Sequence, residues 1–178
     1  HRMSAMSILR VSLVVLGLHT GMSFAHQGEE GEATSAAALD PESQAVADTL
    51  SSFAAAFERG DVDAIRGLTS AADGFSHFEG TFSDWSWDRY AGHMEEEIPL
   101  FTETNYRITN ARPVVMGDMA FATYDWAMDV VVVSDEFEGG RHPIEMRGIA
   151  TVVFLKSGGD WKIRHMHTAR KRAAPVEH

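Results

Sequence analysis

Apolar residues recur every three or four positions in the first half of this chain and every second position in the rest. Asp40-Pro41-Glu42 opens the periodic region: Asp40 suits a helix cap and Pro41 the first helical position. Val46, Leu50, Phe53 and Phe57 then form one stripe, which predicts a helix that Gly60 ends. Asp61 caps a short second helix in which Val62, Ile65 and Leu68 share a face. Residues 74–80 lie between glycines and alternate as a strand, with Phe75, His77 and Glu79 on one face and Ser76 and Phe78 on the other. A third helix is expected over Trp85 to Phe101, capped by Asp84 or Ser86. Its buried stripe is Trp87, Tyr90, Met94, Ile98 and Phe101, and Pro99 bends or ends its last turn.

From Thr104 the period is two. Strands are expected over Asn105–Val115, Met119–Val133, Pro143–Lys156 and Trp161–Thr168, with turns at Gly117-Asp118 and Gly158-Gly159-Asp160 and a loop between Asp135 and Gly140. In the last strand, strict alternation puts Trp161, Ile163, His165 and His167 on one face and Lys162, Arg164, Met166 and Thr168 on the other. The run Val130–Val133 breaks alternation, predicting burial on both faces or a bulge, and with Met128 it suits a dimer contact. Helices first and then a meander of long strands is an α+β layout. The expected form is a strongly curved antiparallel sheet wrapped around the N-terminal helices, enclosing a cone-shaped cavity.

Composition narrows the setting. The 178 residues suit one domain with appendages, and the hydrophobic share of 44% supports a real core. No cysteine is present, which excludes disulfides, thiolate metal sites and a cysteine nucleophile. A formal charge of −11 opposes nucleic-acid binding, because phosphate neutralisation needs a basic surface. Residues 1–25 read as a secretory signal peptide. Arg2 and Arg10 flank Met3, Val11–Leu18 is apolar, and Ser23-Phe24-Ala25 supplies a cleavage site before His26. The apolar run is far shorter than the roughly 20 residues of a membrane span, so no stable insertion is expected after cleavage. Cleavage would leave 13 basic against 26 acidic residues and a periplasmic or secreted protein. Residues 26–39 read as a disordered linker, 40–170 as the folded domain and 171–178 as a basic, flexible tail.

His165 and His167, an i, i+2 pair on a strand, place two imidazoles about 6–7 Å apart on one face. They are the first candidates for acid–base or hydrogen-bonding work in a cavity. A metal would need a third ligand from His77 or Glu79, so neither a metal nor another cofactor is expected. His77 and Tyr90 are candidate ligand-binding residues, with a satisfied core histidine as the bland reading of the former. On the long strand, Asp125 and Asp129 share a face opposite Tyr124, Trp126 and Met128. Either the shared face turns inward and one of the two carboxylates, Asp125 or Asp129, serves as a base with a raised pKa, or both face solvent or a subunit while Tyr124 and Trp126 line the cavity. The second reading is favoured. Arg147 could anchor a ligand carboxylate. A two-residue and a three-residue final turn place it on opposite faces. His93 and Glu97 are four apart on the third helix. His93 lies about 100° from the buried stripe, and Glu95–Glu97 reads as a solvated face, so this pair is set aside.

Three stretches carry a family resemblance: Ser76–Gly80, the Gly117–Ala120 turn, and Trp161–Thr168 after Gly159-Asp160. With the order of elements, they make Pro41–Arg170 resemble the SnoaL-like branch of the nuclear transport factor 2-like superfamily. The ending is similar to the association domain of calcium/calmodulin-dependent kinase type II, although Thr168-Ala169 departs from its small Ser-Gly ending and no kinase precedes the domain. The resemblance implies a cystatin-like cone with a pocket at its open end and dimers through the outer sheet face. Members include ketosteroid isomerases, polyketide cyclases, dehydratases and proteins without known activity, so fold alone selects no reaction. The helix-borne Tyr of the isomerase site has no match at Phe53 or Phe57, which disfavours steroid isomerisation. Three functions follow as expectations. The first is an exported protein binding a hydrophobic or carboxylate-bearing small molecule through His77, Tyr90, Trp126 and Arg147. The second is a cofactor-independent isomerase, cyclase or dehydratase using His167, His165 or Asp125. The third is a homo-oligomerising module, a homodimer or higher.

Overall fold

The computed structural model describes residues 38–70 and 74–171. The expected signal segment, most of the linker and the tail beyond Lys171 lie outside the described residues. Helix α1 spans Pro41–Glu58, α2 Val62–Leu68 and α3 Trp87–Glu97. Strands β1 (Ser76–Glu79) and β2 (Phe82–Asp84) precede α3, and β3 (Phe101–Met116), β4 (Met119–Val133), β5 (Arg141–Ser157) and β6 (Asp160–Arg170) follow it. This is the expected α+β architecture. The strands form one open, curved sheet in the order β2-β1-β6-β5-β4-β3, antiparallel except where β1 runs parallel to β6.

Local chemistry accounts for most boundaries. The Asp40 carboxylate accepts from the Glu42 and Ser43 amides, and Ser86 rather than Asp84 caps α3. Pro99 sits in a single 3-10 turn, Ile98–Leu100, so the third helix stops earlier than its stripe suggested and Phe101 begins β3. Two bulges bend β3, between Thr102 and Asn105 and between Thr109 and Arg112. Glu103 and Asn110 take left-handed backbone angles there, φ 54° and 53°. The Val130–Val133 run neither bulges nor buries both faces. Its ladder to β5 is continuous, Val130 and Val132 are buried, and Val133 is exposed.

The core lies between the concave face of the sheet and the helices. Val46, Leu50 and Phe53 of α1 meet Ala120, Ala122, Tyr124 and Trp126 of β4, Val152 and Phe154 of β5, and Ile163 of β6 in one apolar cluster. Burial of this surface, at roughly 25 cal/mol per Å², drives the assembly. The start of α1 is tied to the last hairpin. Glu42 accepts from Lys156 Nζ at 2.7 Å and from Trp161 Nε1 at 3.0 Å.

Candidate functional site

The most unusual polar arrangement grows from a hairpin. Glu79 pairs with Phe82, so Gly80 and Thr81 form a two-residue turn, and Gly80 supplies the positive φ of 57° that such turns require. The turn sets His77 directly opposite Asp84. Opposed residues of an antiparallel pair share a face, and this one is the concave face: His77 and Asp84 are 6% and 7% exposed. Three residues past Asp84 the chain enters α3, which folds back so that His93 Nδ1 lies 3.4 Å from Asp84 Oδ2. His77 Nδ1 is 3.7 Å from the same oxygen. His93 Nε2 reaches Glu97 Oε1 at 3.0 Å, and the Tyr90 ring lies 4.6 Å from that of His77. The result is a row: Glu97, His93, Asp84, His77, Tyr90.

Each charge in the row is set by its neighbours. Hydrogen bonding to Glu97 is the largest influence on His93. It and the Asp84 carboxylate outweigh burial and lift the imidazole to about 9, so His93 is protonated at neutral pH. Burial pushes the Asp84 carboxyl up, but its contacts with His77 and His93 together prevail and hold it below its usual value. Tyr90 is driven upward by burial and stays a neutral phenol. His77 differs from the rest. Its Nδ1 is buried without a hydrogen-bond partner, because 3.7 Å exceeds hydrogen-bond reach. An imidazole beside an oriented, ionised carboxylate can accept or donate a proton, and small rotations would close this contact when a ligand docks.

Farther along the concave face, Trp126 stacks on Tyr106, with ring centroids 6.2 Å apart and planes at 17°. Its indole donates to the Ile149 carbonyl at 3.2 Å. The ring fits because Gly148 lies opposite it; a Cβ there would collide with the indole and with the Ala169 carbonyl. Tyr124, one row away, is 3% exposed, and burial raises its phenol to about 12.

Several expected site residues lie elsewhere, for identifiable reasons. In β6, Val153 pairs with His165 but Phe154 pairs with Ile163, so Arg164 is an extra, bulged residue. The bulge reverses alternation. Trp161 and Ile163 point inward, as do Met166 and Thr168, whereas His165 and His167 turn to the outer face. The expectation that the histidine pair shares the face of Trp161 is therefore corrected. On the outer face, His165 Nδ1 is 2.8 Å from Ser76 Oγ, and the Phe78 ring packs edge-on against His165 at 4.9 Å and His167 at 6.2 Å. Partial burial, with the charges of His167, His77 and Arg164, lowers the His165 pKa.

Asp125 does not turn inward. It accepts from Asn110 at 2.9 Å and Lys171 at 2.7 Å, and these bonds hold its carboxyl low rather than raised. Asp129 pairs with Arg107 at 2.6 Å and Arg147 at 2.8 Å. The last turn has two residues, Gly158 and Gly159, yet Arg147 faces outward with Asp129 and is no anchor for a ligand in the cone. His77, Tyr90 and Trp126 do lie on the concave side. Among the described residues, no group of three His, Cys, Asp or Glu side chains is arranged to hold a metal ion.

A family profile described as SnoaL-like domain matches residues 46–169. The chain belongs to the SnoaL-like family. Solved structures agree on the fold. A nuclear transport factor 2-like superfamily protein from Salmonella enterica serovar Typhimurium superposes with a TM-score of 0.66 at 17% identity, covering 75% of this chain and 94% of that one. A candidate scytalone dehydratase from Novosphingobium aromaticivorans gives 0.65 at 14% identity, over 77% and 89% of the two chains. A ketosteroid isomerase-like protein from Erwinia carotovora atroseptica gives 0.60 at 16% identity, over 76% and 100%. At such identities the likeness speaks for the fold alone. No curated protein matches the chain. No described helix is long and apolar enough to cross a membrane.

Asp84 and His93 escaped the sequence reading. The signal for Asp84 was present: Gly80-Thr81 between alternating residues is a two-residue hairpin turn, and its register puts Asp84 across from His77. His93 lies off the apolar stripe, and a residue at the border of a helix face is where a polar group meets a buried carboxylate.

Proposed function

We propose that this SnoaL-like domain binds a small organic molecule in its cone, against the His77–Asp84–His93 row, with Tyr90 and Trp126 as ring surfaces. The observation that carries this reading is a nearly buried carboxylate held between two histidines on the concave face, next to an imidazole nitrogen that lacks a partner. Structural ion pairs are ordinarily satisfied; an unfilled buried donor or acceptor marks a place where another molecule supplies the bond. The test is ligand screening by thermal shift with aromatic ketones and phenols, repeated on His77→Ala. Binding that depends on His77 supports the site, and hits unaffected by that change contradict it.

A second reading makes the same row catalytic. Asp84 would orient His77 as a proton acceptor or donor, and protonated His93 would stabilise negative charge developing nearby, which suits isomerisation, cyclisation or dehydration. The dehydratase and isomerase-like names of two structural neighbours are compatible with this chemistry. Turnover of an activated ketone that survives both His77→Ala and Asp84→Asn would remove the catalytic reading.

We also propose that the protein works outside the cytoplasm, on the pattern of Arg2, Arg10, Val11–Leu18 and Ser23-Phe24-Ala25. N-terminal sequencing of the mature chain should begin at His26. Exposed Ile149 on the outer sheet face supports association of two copies there, which a solution mass measurement checks.

A further inference from the structure

The Arg164 bulge takes His165 and His167 off the concave face, yet the outer face holds them as an ordered pair. Register sets His165 between Ser76 and Val153, and His167 between Phe78 and Thr151, on adjacent rungs. Ser76 Oγ lies 2.8 Å from His165 Nδ1, which leaves Nε2 as the nitrogen for any further bond. When Nδ1–H donates to Ser76 Oγ, Nε2 carries the lone pair that a metal ion needs. The Phe78 ring packs edge-on against both imidazoles, at 4.9 and 6.2 Å, and is backed by Trp85 at 4.8 Å. A hydroxyl on one ring and an aromatic wall beside both restrict how the pair can turn, which is the support a set of metal ligands requires.

Two imidazoles at i, i+2 on a strand can converge on one ion. Zn–N bonds of about 2.0–2.1 Å need nitrogens roughly 3.4 Å apart, within reach of side chains that start about 6–7 Å apart. The pair supplies only half of a four-coordinate site. The rest does not come from the same copy: His77 points to the concave face, and among the described residues no three His, Cys, Asp or Glu side chains are grouped to hold a metal. A second copy can complete it, because a two-fold contact sets the same patch on both sides and brings each pair to its equivalent. The surroundings suit such a contact. The two rungs continue into β5 and β4 as Thr151 with Thr123 and as Val153 with Phe121, all uncharged. Ile149, two residues before Thr151 on the same face, is 53% exposed. Two net-acidic chains can therefore meet here without burying carboxylates, and a dication between them lowers their repulsion.

We propose that His165 and His167 form half of a zinc site that a second copy completes, so that one Zn2+ held by four imidazoles joins two outer sheet faces. Imidazole nitrogens suit zinc rather than the oxygen-seeking magnesium or calcium. This rests on the outer-face association proposed above and adds the ion that controls it. Sedimentation and native mass spectrometry of the untagged full chain, first stripped with chelator, compare the wild type with His165→Gln, His167→Ala and, as a control away from the pair, His142→Ala. Zinc should tighten wild-type self-association roughly tenfold or more, with one ion per two chains, and magnesium should not. His165→Gln and His167→Ala should each abolish the tightening, and His142→Ala should keep it. Co2+ in place of zinc should give the intense visible absorption of a tetrahedral site in the wild type and in His142→Ala only. A dimer equally tight with chelator and with zinc, in the wild type and both pair variants, overturns the zinc site and leaves the association standing. A monomer under every condition overturns both. One ion per monomer, or tightening that survives both pair substitutions, places the metal elsewhere and overturns the shared site.

Discussion

The two faces of the sheet carry the same residue types under opposite physics. On the outer face, Asp125 and Asp129 are exposed carboxylates, each matched to a cation at 2.6–2.8 Å. On the concave face, Asp84 is nearly buried, and its closest polar side chains are two histidines at 3.4 and 3.7 Å. The histidines divide likewise. His165 and His167 lie outside, where partial burial and like charges lower the former's pKa, while His93 lies inside and is raised to about 9. Water screens the outer pairs, so they are exchangeable surface chemistry. Desolvation makes the inner row expensive to disturb, and an expensive, incompletely bonded arrangement is where function is to be sought.

The contrast should break first at two adjacent residues of β5. Gly148 faces inward beneath Trp126, so Gly148→Ala should cost about 2–4 kcal/mol by overpacking. Its neighbour Ile149 is 53% exposed on the outer face, and Ile149→Ala should stay within about 0.5 kcal/mol. Urea denaturation of both variants measures the difference. The carboxylates come next. Asp84→Ala removes the more buried of the two carboxylates around His93, leaving Glu97 at 3.0 Å, and should cost about 1–2 kcal/mol, whereas Asp129→Ala should leave the unfolding midpoint nearly unchanged.

The pH dependence is of similar size and has a definite sign. His93 binds its proton more tightly in the folded chain, at about 9, than in the unfolded chain, where an imidazole titrates near 6.5. Its contribution is complete below pH 6.5 and is lost as pH rises through 9; that span corresponds to about 3 kcal/mol, which solvent screening of the partly exposed ring lowers to roughly 2 kcal/mol. His93→Gln should flatten that decline in midpoints recorded from pH 6 to 10. Asp84 has the opposite sign: its lowered pKa stabilises above pH 3.8, and that stability is lost as pH falls. The smallest effect should be at His165, where His165→Ala removes one half-exposed contact with Ser76 and should cost about 0.5 kcal/mol.

Periodicity made the architecture legible. The stripe Val46, Leu50, Phe53 is buried as read, and Gly117 with Gly158-Gly159 marks the hairpins because those positions need positive φ. The side on which each strand residue falls was less secure, since one inserted residue reverses it. In β4 the ladder is regular, so Tyr124 and Trp126 inside with Asp125 and Asp129 outside followed the favoured reading. In β6 the Arg164 bulge cost the reading its leading candidates. The Ile163 carbonyl accepts from the Ser70 amide at 2.8 Å, a nonlocal contact at the bulge that no local pattern announces. The inner row needed a hairpin register and a helix return together, and of these only the hairpin leaves a local signature.

The most direct measurement is the set of histidine ring NMR signals of the full chain during titration with 2-acetylnaphthalene. If the concave face is the binding site, the His77 and His93 rings shift while those of His165 and His167 stay in place. Movement confined to His165 and His167 would put the site on the outer face and contradict the account.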